Sequence, residues 1–202
     1  MLNSQRMQFC ALAVAGLLAM SASAWAENSP LELIRSAINQ VTTVLANPAS
    51  QGEDQQQERI KQVWTIVEPY FDLQDMAQRT LGVHWRERTE EERREFVQLF
   101  TALIEKTYSS TLTRYTSDVQ FAFDGQRIDG DFAEVDTRLI APSLDKPIPI
   151  QYHLHRVGGE WRIYDVVIDN VSLVHNYRNQ FNRILSQSSY NELVQSIKKK
   201  LS

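Results

Sequence analysis

The scarcities of this chain narrow it first. It has 202 residues and a single cysteine, Cys10. With no second thiol, an intrachain disulfide and a multi-cysteine metal site are excluded. Cys10 opens an apolar run instead of following one, so it is not placed for lipid attachment. Histidine is sparse as well, with four in all. His153 and His155 are two apart in a segment of strand pattern and would share a face, but no third ligand stands nearby in sequence. His84 and His175 are isolated, so no metal is expected. The seven glycines form no phosphate-cradling loop, and neither G-x-S-x-G nor H-E-x-x-H occurs. No cofactor and no catalytic set are expected. Basic charge is also thin. The formal net charge is −4 and the longest cationic run is Lys198-Lys199-Lys200. A polyphosphate backbone demands clustered Lys and Arg, so nucleic acid is excluded as a partner.

What is present begins with an export signal. Arg6 is followed by an apolar run from Phe9 to Met20 and then by small residues ending Ala24-Trp25-Ala26. This is the layout of a cleavable secretory signal peptide, predicted over residues 1–26. The run is too short for the ~20 residues a spanning helix needs. Residues 27–202 are expected to form one soluble domain in the periplasm.

Apolar residues then recur at helical spacing. Leu33, Ile34, Ala37, Val41, Val44 and Leu45 predict a helix over 30–46, with Pro30 in its first turn. Ile60, Val63, Trp64 and Val67 predict a second over 58–68, stopped by Pro69. Asp72 is a cap for a short third helix, with Gly82 at its left-handed end. Thr89 and Glu92 fit a capping box that opens the strongest helix, about 89–115, through Phe96, Phe100, Ile104, Tyr108 and Tyr115.

The period then changes to two. Phe121 and Phe123, then Ala133, Val135, Thr137 and Leu139, then Ile148, Ile150, Tyr152 and Leu154 mark three half-buried strands. Asp129-Gly130 and Gly158-Gly159 are hairpin turns. The segment 161–168 is apolar on both faces, with Trp161, Ile163 and Val167 on one and Tyr164, Val166 and Ile168 on the other. Asp165 lies among these apolar residues and needs a partner if buried; Arg178 is the candidate. After Asn170 two helices follow, the first from Val171 and the second capped by Ser189 and Glu192. Lys198–Lys200 suit the dipole at the C-terminus of the second. The whole reads as α+β: a twisted antiparallel meander of about four strands, with N-terminal helices and two C-terminal helices packed against it.

Two stretches go beyond pattern: YFDLQDMAQRTLGVHWRERTEEERREFVQLFTALIEKTY, Tyr70 to Tyr108, and WRIYDVVIDNVSLVHNYRNQFNRIL, Trp161 to Leu185. Within them, Leu81-Gly82, Trp85-Arg86, Tyr164-Asp165-Val166, Val171-Ser172-Leu173 and Tyr177-Arg178 carry a resemblance to the periplasmic toluene-tolerance family. That family includes soluble phospholipid carriers of the Mla lipid transport system. Asp169-Asn170 departs from the Glu-Gly expected there. The resemblance implies a non-enzymatic carrier that holds phospholipid acyl chains between sheet and helices. It implies exchange with an outer-membrane lipoprotein–porin complex and with an inner-membrane ABC transporter bearing an MCE-domain ring, in the service of outer-membrane lipid asymmetry. Other members carry other lipids, such as hopanoids, and a non-transporting periplasmic adaptor is the remaining alternative.

A lipid tail in water costs ~0.8 kcal/mol per methylene, so such a carrier needs an apolar sleeve. The candidate lipid-binding residues are Met76, Val97, Phe100, Ile104 and Tyr108 from the helices. Phe121, Phe123, Val135, Leu139, Tyr152, Leu154, Tyr164 and Val166 come from the strands, with Val171 and Val174 closing one end. Apolar spacing alone does not separate a hollow interior from a filled one.

Overall fold

The computed structural model describes residues 29–46, 53–112 and 119–202. The predicted signal peptide and Tyr115 lie outside them. Helix α1, Pro30–Leu45, starts where the Ser29 hydroxyl accepts the Glu32 N–H and Pro30 occupies the first turn, where its missing N–H costs nothing. Helix α2, Glu53–Val67, reaches back into the glutamine-rich stretch beyond the expected start at 58. It ends before Pro69, and a 3-10 turn, Glu68–Tyr70, carries the chain onward. The Asp72 carboxylate accepts the Asp75 N–H at 2.9 Å and caps α3, Leu73–Leu81.

Gly82 departs from the expected left-handed helix end. Its φ is +56° but its ψ is −122°, and it opens a second 3-10 turn, Gly82–Glu87. A Cβ there would stand 3.1 Å from the Arg178 guanidinium. Glycine thus permits both the dihedral and the close approach. The Thr89–Glu92 capping box forms in both directions, at 2.9 and 3.2 Å, and opens α4, Glu90–Leu112.

Five strands follow as an antiparallel meander in sequence order: β1 Gln120–Asp129, β2 Phe132–Ile140, β3 Ile148–Val157, β4 Glu160–Ile168 and β5 Val171–Ser172. Two features differ from the alternation read in the sequence. In β4, His153 pairs with Asp165 and Leu154 with Ile163, which leaves Tyr164 as an extra residue. This bulge reverses the parity. Val166 and Ile168 therefore join Ile163 on the inner face, and Tyr164 turns to the outer one beside His153, His155 and Phe132. The second difference is β5. Asp169 and Asn170 both take positive φ, 48° and 65°. Asx side chains tolerate this conformation, and the resulting two-residue turn folds Val171–Ser172 back on Val167 and Ile168. Val171 is therefore an exposed strand residue instead of the first residue of a helix.

Helix α5, Leu173–Leu185, is capped by Ser172, and α6, Tyr190–Leu201, by a complete Ser189–Glu192 box. Asp165 is buried, but its partner is not Arg178. Its carboxylate accepts the Ser172 hydroxyl and the backbone N–H groups of Val166 and Val174, at 2.9 and 3.0 Å for the two amides. The N-terminus of α5 supplies unsatisfied donors and a favourable dipole, so no guanidinium is required.

The interior falls into two apolar clusters. One is helical and gathers α3, α4, α5 and α6 around Phe96, Phe100, Phe181 and Leu193. The other lies between α1 and the inner face of the sheet, around Ile34, Val135, Leu154, Trp161 and Ile163. Among the described residues no helix is long and apolar enough to cross a membrane.

Candidate functional site

Between the two clusters lies a cavity of about 330 Å³, within the range of small-molecule sites. Its walls follow from the amphipathic stripes already described. Helix α1 presents Ile34, Ala37, Ile38, Val41 and Leu45, and α2 presents Ile60, Val63, Trp64 and Val67, each set at steps of three and four. Met76 of α3 and Ile104 and Tyr108 of α4 form the helical far side. The floor is the inner face of the sheet: Phe121, Leu139, Ile148, Ile150, Tyr152, Ile163, Val166 and Ile168. Open sheets tend to twist, and a twisted sheet leaves space that straight helices do not fill.

The lining is almost entirely hydrocarbon. Among the described residues, the wall's polar side chains are Thr42, Trp64, the tyrosines and Glu105, and Glu105 is the only Asp, Glu, Lys, Arg or His. Tyr152 stands on the floor of the cavity and is half-buried. Burial pushes its hydroxyl up to about 12, against a weaker lowering by a hydrogen bond with Thr137. Burial likewise raises Tyr108, assisted by Tyr177 and Asp165. Both phenols therefore stay neutral at physiological pH, and the floor carries no charge.

Of the fifteen candidate lipid-binding residues, Met76, Ile104, Tyr108, Phe121, Leu139, Tyr152 and Val166 lie on this wall. Phe100 and Val174 are in the helical cluster, and Val97 packs against it. Val135 and Leu154 belong to the core beneath α1. Phe123 packs there too, under the Arg35 guanidinium at 4.1 Å. Tyr164 lies on the outer face, 4.4 Å from the Arg79 guanidinium, and Val171 is exposed.

The contributions of α1 and α2 were not assigned to the wall from sequence. Their helical stripes were visible, but a stripe does not say which neighbour it faces. The other strand residues missed were Ile148, Ile150, Ile163 and Ile168. The first two already stood in the inward alternation, whereas Ile163 and Ile168 required the β4 bulge.

The histidines hold ordinary polar contacts. His153 Nε2 meets Gln151 Oε1 at 2.8 Å, and His155 Nε2 meets Asp72 Oδ2 at 3.0 Å, joining β3 to the cap of α3. Among the described residues no cluster of three or more His, Cys, Asp or Glu side chains is arranged to hold a metal.

An unclosed antiparallel sheet under helices, enclosing an apolar hollow beside a filled core, defines a class of α+β shell proteins able to shelter an apolar guest. The particular family is given by comparison. Residues 35–199 match the model of the MlaC protein family, and the chain belongs to that family. It is 28% identical over 181 residues to the intermembrane phospholipid transport system binding protein MlaC of Haemophilus influenzae, covering 85% of this chain and 82% of that one. It is 24% identical over 117 residues to the toluene tolerance protein ttg2D of Pseudomonas putida, covering 57% and 54%. Its fold matches a phospholipid-binding protein of Ralstonia solanacearum solved in complex with a phospholipid. The TM-score is 0.71 at 20% identity, over 85% of this chain and 96% of that one.

Proposed function

We propose that this chain is a periplasmic lipid carrier, exported by a signal peptide, residues 1–26, that is then cleaved, and that it holds the acyl chains of a phospholipid in the cavity and ferries it between the two membranes. The observation that carries this reading is the cavity: a hollow lined by hydrocarbon beside a closely packed helical core. Water gains little from such a space, because it finds almost no polar partners there. An acyl chain removes its own surface and the lining's from water together. Membership of the MlaC family, and the phospholipid named for two of the matched proteins, support the same ligand.

The seven candidate residues on the wall would contact the chains, together with Ile34, Val41, Val63, Trp64 and Ile150. The other eight would act behind or around it. The carrier must bind about as well as a membrane does, so that cargo both enters and leaves. Its donors and acceptors would be the outer-membrane lipoprotein–porin complex and the inner-membrane ABC transporter with its MCE-domain ring, and the net effect would be upkeep of outer-membrane lipid asymmetry. No step in this cycle breaks a covalent bond, so the reading is of a carrier and not an enzyme.

The test is native followed by denaturing mass spectrometry of the full chain expressed with its own N-terminus in a Gram-negative host. The expected result is loss of residues 1–26 and release of one stoichiometric phospholipid mass. A hopanoid or other lipid would keep the mechanism and change the cargo. A stable protein that is empty and takes up no added lipid would overturn the carrier reading in favour of an adaptor.

A further inference from the structure

We infer that Glu105 reads the polar end of the ligand, so that the cavity prefers an amphiphile bearing a cationic amine to one whose headgroup is purely anionic. This rests on the carrier reading above. Eight acids among the described residues are buried or half-buried, and seven have a hydrogen-bond partner: Asp72, Asp75, Glu92, Glu95, Glu134, Asp136 and Asp165. Glu105 is the eighth. It is half-buried and has neither a hydrogen bond nor an ion pair among the described residues. Among the described residues it is also the one acid on the cavity wall, and no described Lys, Arg or His accompanies it there.

A carboxylate set in an apolar wall without a partner is costly unless it reaches water. Its position therefore marks where the hydrocarbon lining gives way to solvent. An amphiphile with its tails inside must place its polar end at that boundary. Tyr108, one turn along α4, and Trp64 of α2 lie on the same wall, and aromatic faces attract ammonium groups. Lys106 does not offset the acid on the wall. It is not part of the lining, and its Nζ donates to the Leu201 carbonyl at 2.8 Å. A headgroup carrying only phosphate would meet the negative charge of Glu105. A zwitterionic one would bring an ammonium to it.

The test loads the full chain from vesicles of equal parts phosphatidylethanolamine and phosphatidylglycerol, re-isolates it and measures the extracted lipids by mass spectrometry. The wild type is expected to enrich the amine lipid about two- to fivefold over the donor ratio, as befits one partly solvated ion pair. Glu105→Gln should return the ratio to that of the donor, and Glu105→Lys should invert it. Retention of lipid at the donor ratio by the wild type, or enrichment unchanged in Glu105→Gln, overturns the headgroup inference and leaves the carrier standing. A wild type that retains no lipid overturns the carrier reading itself, and this inference with it.

Discussion

Around Phe96 the interior is crowded. Its ring stacks on Phe100 at 6.3 Å and meets the edge of Phe181 at 5.7 Å, while Phe100 meets Tyr177 edge-on at 5.7 Å. Around Tyr152 side chains of the same chemistry face a void of about 330 Å³. Both regions are apolar and both are flanked by helices. They differ in what the helices pack against. In the first, α4 packs against α3 and α6, and its phenylalanines meet the rings of α5. In the second, α1 packs on β1 and β2, α2 packs on α1, and the cavity lies between these helices and the floor of the sheet. The first region therefore supplies close packing, and the second leaves room for a guest.

The comparison is broken most strongly at the centre of the filled region. Phe96→Ala should cost about 3–5 kcal/mol, the usual range for a phenylalanine deleted from a close-packed core, measured by urea unfolding. The same deletion on the hollow side, Phe121→Ala, should cost far less, because the space beyond that ring is already empty. Equal losses would show that the two regions are packed alike.

The seam between them is next. Asp165→Asn keeps the volume but removes the charge that holds Ser172 and the first turn of α5, and should cost about 2–3 kcal/mol. Amide exchange at Val166 and Val174 would report the freed N–H groups, and unchanged protection there would refute this role.

Adding volume sharpens the contrast. Ala77 is fully buried in the helical cluster, and Ala77→Phe should destabilise by about 1–3 kcal/mol through overpacking. Ala37 faces the cavity, so Ala37→Phe should leave the melting temperature near that of the wild type while reducing lipid uptake. A large loss of stability in the latter would argue against the hollow.

The smallest expected effect lies outside both regions. The Ser189 N–H and hydroxyl hold the Glu192 carboxylate below its ordinary value of 4.5. A carboxyl depressed in the folded state stabilises above its unfolded value, and that contribution disappears as pH falls through the folded one. Glu192→Gln should therefore shrink the drop in stability below about pH 4.5 and leave the rest of the pH profile unchanged. An identical acid limb would show that the capping box is immaterial.

Legibility of the fold followed locality. The caps at Asp72, Thr89 and Ser189, the stop before Pro69 and the hairpins at Gly130 and Gly158 are decided within four or five residues, and each could be read directly. The elements that escaped depend on pairing. The Tyr164 bulge exists because β3 and β4 fall out of register, and β5 exists because Val171 finds Ile168. Arg178 illustrates the same limit: its charge suggested Asp165, yet the backbone of α5 reached that carboxylate first. For the site, seven of fifteen residues proposed from pattern and resemblance lie on the wall, while the whole contribution of α1 and α2 went unassigned.

By itself the sequence determined the α+β order, the poverty of catalytic and metal-binding groups, and the apolar stripes from which any interior must be built. These are short-range properties of spacing and composition. Only the tertiary structure decided that one group of stripes packs closely and another lines a void, because a void is a property of how elements are placed relative to one another. The same placement left Glu105 as the one acid among the described residues of the hydrocarbon wall.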